Sequence, residues 1–285
     1  MAGSLLRLAG FAGFVLALAS SAGVQAQAND SDPNFEHPNR VITTSLAGRS
    51  ISGLVTYRRD AKNLRAGIVL FPGYPGIIKL QEANGVIQFE QRGNFLIRSR
   101  RHWLDDETLT LVADAPTDQW SGFGQRFRET ARYGADIAAL VNEAQRRFGV
   151  TDWTFVGTSE GSVTAFHAAR LNPGLAKRII LTASVFLPSR GGPGLSGVTD
   201  WGTLPAPLLW VHHQDDPCPY TAHRSAVEFA ARSASPLITM RGGGPGTGGA
   251  CEARTAHGFT GVEQEAIRAM LDWIRTGALP PPQGQ

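Results

Sequence analysis

Gly157-Thr-Ser-Glu-Gly161 follows the apolar run Trp153-Thr-Phe-Val156 and precedes a helix-like segment, Ser162 to Leu171. Read as Gly-x-Ser-x-Gly between a strand and a helix, it is a nucleophile elbow: a tight turn that lifts Ser159 clear of the backbone. The turn holds its central residue in a strained conformation, and side chains at the two glycine positions would collide with the neighbouring strand and helix. With 33 glycines in the chain, the pattern alone is weak evidence. Its setting has to supply the rest.

Upstream of this stretch, Ala66 to Phe71 is a continuous apolar run, the pattern of a strand buried on both faces. Further strands are predicted at Val41–Leu46 and Ile51–Tyr57, an N-terminal antiparallel pair, and at Thr108–Val112, Arg178–Leu187, Pro207–Val211 and Pro236–Met240. Between them Ile137, Leu140, Val141, Ala144 and Phe148 keep helical spacing, as do Ile267, Met270, Leu271 and Ile274 before Gly277. This alternation implies a doubly wound α/β fold, a mostly parallel sheet with helices on both faces, in which function gathers at the carboxyl ends of the strands. Asn84-Gly85 between apolar alternations marks a hairpin within Ile77–Glu90, expected to overhang the site. Pro188–Leu204 is short and rich in Gly and Pro, so no large lid is expected.

A serine nucleophile needs a base, and the base needs an orienting acid. Of seven histidines, His257 lies in Thr255-Ala-His-Gly-Phe259, after the last strand and before the last helix, where the base belongs. His212, His213, His223, His167, His37 and His102 read as structural. The acid comes from His212-His-Gln-Asp-Asp-Pro-Cys218, which leaves Asp215 and Asp216 as candidates. The backbone N–H of Glu160 is one expected oxyanion donor; the second is the N–H of Tyr74, in Phe71-Pro-Gly-Tyr-Pro-Gly76, because Pro72 and Pro75 have none to give.

Composition narrows the partners. The chain has 285 residues, 42% hydrophobic and 18% charged, the make-up of one ordinary globular core. A net charge of +3, from 27 Lys and Arg against 24 Asp and Glu, makes no case for nucleic acid; Arg98, Arg100 and Arg101 read as a solvated face. Residues 1–28 read as a signal peptide: Arg7, the apolar run Leu8–Ala19, then small residues with cleavage near 26–28. That run is too short to span a bilayer, so no stable membrane insertion is expected after cleavage, and the destination is periplasmic or extracellular. Residues 29–39 read as a leader and 40–285 as one domain. In an oxidising space the two cysteines, Cys218 and Cys251, are expected to form a disulfide. It would tie the acid loop to the His257 loop across the glycine-rich residues Gly242–Gly249. His212, His213, Asp215, Asp216, Cys218, His223 and His257 include every ligand type zinc accepts, but without a familiar ligand spacing. No metal or other cofactor is expected.

With the elbow, the glycine-containing oxyanion loop and the order Ser159, Asp216, His257 in place, the chain resembles the α/β-hydrolase superfamily from about Val41 onward. Members often carry Gly-x-x-Asp-x-x-Val-Pro around the acid. Aligning it with His213-Gln-Asp-Asp-Pro-Cys-Pro219 favours Asp216, with His213 in place of the glycine and Cys218 intervening. Asn94-Phe-Leu-Ile-Arg-Ser-Arg100 and His257-Gly-Phe259 are similar to exported bacterial hydrolases of undefined substrate. The resemblance implies a serine hydrolase cleaving small-molecule carboxylic esters through an acyl-enzyme. A peptidase or acyltransferase would use the same groups, and an idle fold serving as a binding module is the reading from another class. Substrate identity and oligomeric state stay open.

Overall fold

The structure, a computed structural model, describes residues 37–189 and 191–279. The expected signal peptide and most of the leader lie outside the described residues. In chain order the elements begin with β1 (Asn39–Leu46), β2 (Arg49–Thr56), β3 (Ala66–Phe71), β4 (Gln81–Ala83), β5 (Val86–Gln88), α1 (Phe95–Arg98), β6 (Thr108–Ala113) and α2 (Gln125–Arg128). They continue with α3 (Ala131–Phe148), β7 (Asp152–Thr158), α4 (Glu160–Leu171), β8 (Arg178–Thr182), β9 (Leu208–His213), α5 (His223–Arg232), β10 (Leu237–Met240) and α6 (Glu263–Thr276).

Eight strands form one sheet in the order β1-β2-β6-β3-β7-β8-β9-β10. The β1/β2 and β2/β6 pairs are antiparallel and all others parallel. The chain runs from β3 outward to β6, then returns to the other side of β3 to place β7. The carboxyl ends of β3 and β7 therefore lie at a topological switch point, the crevice where such sheets take ligands.

Alternating side chains of the buried strands enter different cores. Val69, Phe71 and Phe155 pack with Ile137 and Leu140 of α3 and Val163 and Phe166 of α4, while Ile68, Leu70 and Val156 pack with Phe95, Met270 and Trp273. Helices thus cover both faces, as the continuous apolar runs required. The ends of α3 and α6 are set by chemistry the sequence shows. Thr130 caps α3 by accepting from the Tyr133 N–H, and Gly149 and Gly277 close α3 and α6 in the left-handed conformation.

Three local expectations change. Arg178–Leu187 is a strand only to Thr182: Ala183 turns to φ 39°, and the Ser184 N–H leaves the ladder to donate to Nε2 of His212. Phe186 still packs beside Trp210 and Phe229, which explains the longer apolar run. The Asn84-Gly85 hairpin forms, with both turn residues at positive φ, but none of residues 77–90 lines the cleft described below. The basic trio is not a solvated face. Arg100 is buried and donates to Oγ1 of Thr56, and Arg98 pairs with Glu263. Within the short Pro188–Leu204 segment, Trp201 joins the core, in contact with Phe166 and Trp210.

Candidate active site

Ser159 sits between β7 and α4 at φ 53°, ψ −125°, the strained turn the motif predicts. The flanking glycines are required by backbone proximity. A Cβ on Gly157 would lie 2.1 Å from the carbonyl oxygen of Gly161, and one on Gly161 would lie 2.0 Å from that of Phe71. The loop after β3 is equally close, since a Cβ on Gly73 would be 3.0 Å from the Cβ of Ser159. Tyr74 and Glu160 accordingly flank Ser159 in one cleft of about 360 Å³, which His257 also lines.

His257 occupies a short 3-10 turn, and its own N–H donates to Oγ1 of Thr255 at 3.1 Å. Its Nδ1 lies 3.1 Å from Oδ2 of Asp216, a carboxylate with no solvent exposure. The other oxygen, Oδ1, accepts from the Cys218 N–H at 2.9 Å. Asp215 points elsewhere: it is exposed, and its N–H donates to Nδ1 of His213. Of the two adjacent acids, the structure brings Asp216 to the imidazole.

Cys218 and Cys251 are disulfide-bonded, with Cα atoms 4.6 Å apart, and both line the cleft. The bridge joins the Asp216 and His257 loops as expected. Gly242–Gly249, however, is laid against the His257 loop by backbone bonds, Gly244 N–H to Thr260 O and Thr247 N–H to Arg254 O. A Cβ on Gly243 would meet the Thr260 oxygen at 2.4 Å, and one on Gly246 the Thr255 Cα at 2.7 Å. These glycines serve close packing.

Two of the remaining candidate metal ligands are engaged elsewhere: Nε2 of His213 bonds Gly242 O and Nε2 of His223 bonds Thr239. Burial pushes the His212 imidazole down to about 3, so it stays neutral. Among the described residues, no group of three or more His, Cys, Asp or Glu is arranged to hold a metal ion.

Two contributors were not identified from the sequence. Thr221 is fully buried with its hydroxyl between Asp216 and His257, and a lone threonine gives no signal in sequence. Arg98 donates to the carbonyl of Gly258, beside His257, at 2.6 Å; its place in a basic run masked that role.

No family model matches the chain, and neither does any curated protein. Solved structures do. Est1E from Butyrivibrio proteoclasticus is 14% identical, with 83% of this chain and 99% of that one covered at a TM-score of 0.54. XC6422 from Xanthomonas campestris, described as an α/β serine hydrolase without lid, is 14% identical, covering 85% and 97% at 0.52. The chain has the α/β-hydrolase fold. A cold-adapted esterase from an Arctic intertidal metagenomic library shares this α/β-hydrolase fold at 14% identity, covering 86% and 96% with a TM-score of 0.55. Among the described residues no helix is long and apolar enough to cross a membrane.

Proposed function

We propose that the chain is an exported serine hydrolase that cleaves neutral carboxylic esters through an acyl-enzyme. The observation that carries this reading is the meeting, in one cleft, of a serine on a strained elbow with an imidazole backed by a buried carboxylate. In this scheme Oγ of Ser159 attacks the acyl carbonyl while Nε2 of His257 takes its proton. The imidazolium, held by Asp216 through Nδ1–H, then returns that proton to the leaving alkoxide, and the alcohol departs. Water repeats the sequence on the acyl-enzyme, releasing the acid and restoring the serine. The N–H groups of Tyr74 and Glu160 stabilise the oxyanion in both halves.

Esterases among the structural neighbours support the ester class, and the lidless description of XC6422 fits the short segment before Leu204. Charge argues for neutral substrates. The charged residues lining the cleft are Glu160 and Glu252, with Phe95, Val185 and Tyr220 supplying apolar wall, so an anionic acyl group would meet carboxylates and no lining cation. Export rests on Arg7, the run Leu8–Ala19 and the disulfide, and the hydrolase domain begins near residue 40.

A fluorophosphonate probe tests the reading. Covalent mass on Ser159, absent from Ser159→Ala, is expected, together with turnover of chromogenic esters. A folded protein that takes up no label and hydrolyses none of them would be a binding module instead.

A further inference from the structure

The guanidinium of Arg128 is enclosed by protein, its side chain 1% exposed. Burying a cation costs several kcal/mol before any contact is made, so the groups around it have to be arranged to receive it. They come from both sides of the proposed oxyanion site. Nη2 donates to the Pro75 carbonyl at 2.9 Å, in the loop that carries Tyr74. The same nitrogen is 3.5 Å from Oε2 of Glu160, the residue directly after Ser159, and Nη1 donates to Oγ1 of Thr164, one turn further along α4, at 3.0 Å. Gly76 makes room for the group, since a Cβ there would come within 2.6 Å of Nη2. Beneath, the guanidinium rests on the Phe123 ring, 3.9 Å from its centroid.

Apolar side chains filling the same volume would stabilise the core as well as this buried ion pair does, so stability alone does not account for a guanidinium here. Geometry does. A planar fork can hold two backbone segments at a fixed separation, which a flexible point charge cannot. We propose that Arg128 is a positioning residue for the oxyanion site, clamping the Tyr74 loop to the first turn of α4 and so setting the spacing between the N–H groups of Tyr74 and Glu160. The inference rests on the serine-hydrolase reading and adds to it a residue that touches neither the substrate nor the reacting atoms.

The test pairs an ester with its thionoester, identical except for sulfur at the carbonyl. Sulfur is larger and a poor acceptor, so two donors spaced for oxygen discriminate against it, and loosened donors discriminate less. In Arg128→Met, kcat on the oxygen ester is expected to fall about 10²-fold with KM within about threefold, and the oxygen-to-sulfur rate ratio to shrink about tenfold. Arg128→Lys, which keeps the charge but loses the fork, is expected to recover part of both. Thr164→Val keeps Arg128 and removes one hydroxyl; it carries the test if the Arg128 variants do not fold, with the ratio expected to shrink about threefold. An unchanged ratio in every folded variant overturns the inference. A wild-type protein whose Ser159 takes no fluorophosphonate overturns the hydrolase reading instead, so the two failures are distinct.

Discussion

Oγ1 of Thr221 lies 2.7 Å from Oδ2 of Asp216, and the same oxygen is 3.1 Å from Nδ1 of His257. A hydroxyl has one proton to give; it goes to the carboxylate, leaving a lone pair toward the imidazole. The proton on Nδ1 is then shared by two acceptors, which selects the tautomer whose Nε2 is free to act as base. Thr221→Val is expected to lower kcat/KM roughly tenfold by leaving a buried carboxylate oxygen short of a donor. If the proposed triad operates, Asp216→Asn should cost about 10³ to 10⁴ in kcat, as the loss of the acid does in serine triads. Steady-state kinetics with Asp215→Asn alongside checks both; equal losses in the Asp215 and Asp216 variants would remove the proposed role of Asp216.

Gly161→Ala places a methyl group 2.0 Å from the Phe71 oxygen and 2.7 Å from that of Pro72, both backbone atoms at the end of a central strand. Neither can swing aside as a side chain would. The expected loss exceeds about 3 kcal/mol, whereas Gly93→Ala, with nothing within 4 Å, should stay within about 1 kcal/mol of wild type. Denaturant unfolding of the two variants side by side decides it.

The disulfide closes a 33-residue separation, a contribution of about 3 to 4 kcal/mol in the chain-entropy picture. Because its two loops carry Asp216 and His257, reduction is expected to weaken ester turnover at temperatures where far-ultraviolet circular dichroism is still native. Full activity in a sample whose free thiols have been counted would show that the bridge does not position the pair.

Asp114 is buried and accepts N–H bonds from Ile78, Leu80 and Ala115, yet burial outweighs those donors and pushes its carboxyl from 3.8 up to about 6. Between these values the folded protein binds a proton that the unfolded chain has released. Stability contributed by protonated Asp114 is therefore complete below pH 4 and lost as pH rises through about 6, on the order of 3 kcal/mol. Asp114→Asn should lack that slope. Unfolding midpoints of both proteins at pH 4.5 and 7.5 measure it; parallel curves would refute the assignment.

Much of the fold was readable because apolar runs and spacing report burial directly: Ala66–Phe71 is a strand over the predicted residues, and α6 stops at Gly277. Arg178–Leu187 misled because Phe186 is apolar for a reason other than pairing; it fills a core from a loop. Among the site residues, Ser159 and His257 were visible through chain order. Asp216 needed a family pattern to stand above Asp215, since adjacent carboxylates differ only in where a turn aims them. Thr221 and Arg128 make their contacts with Asp216 and Pro75, 5 and 53 residues away in sequence, and no periodicity or motif encodes such contacts.

The glycine-rich strap, residues 242–249, restricts where this cleft can be redesigned. Loops of that composition usually invite randomisation, but Gly243 and Gly246 abut backbone atoms of the His257 loop, and any larger residue there would displace that loop and His257 with it. Tyr74, 77% exposed, and Tyr220, also exposed, border the same opening, whereas the Glu252 carboxylate lies against Gly248 of the strap. A library aimed at new substrate selectivity belongs on Tyr74 and Tyr220, with Gly243 and Gly246 held invariant.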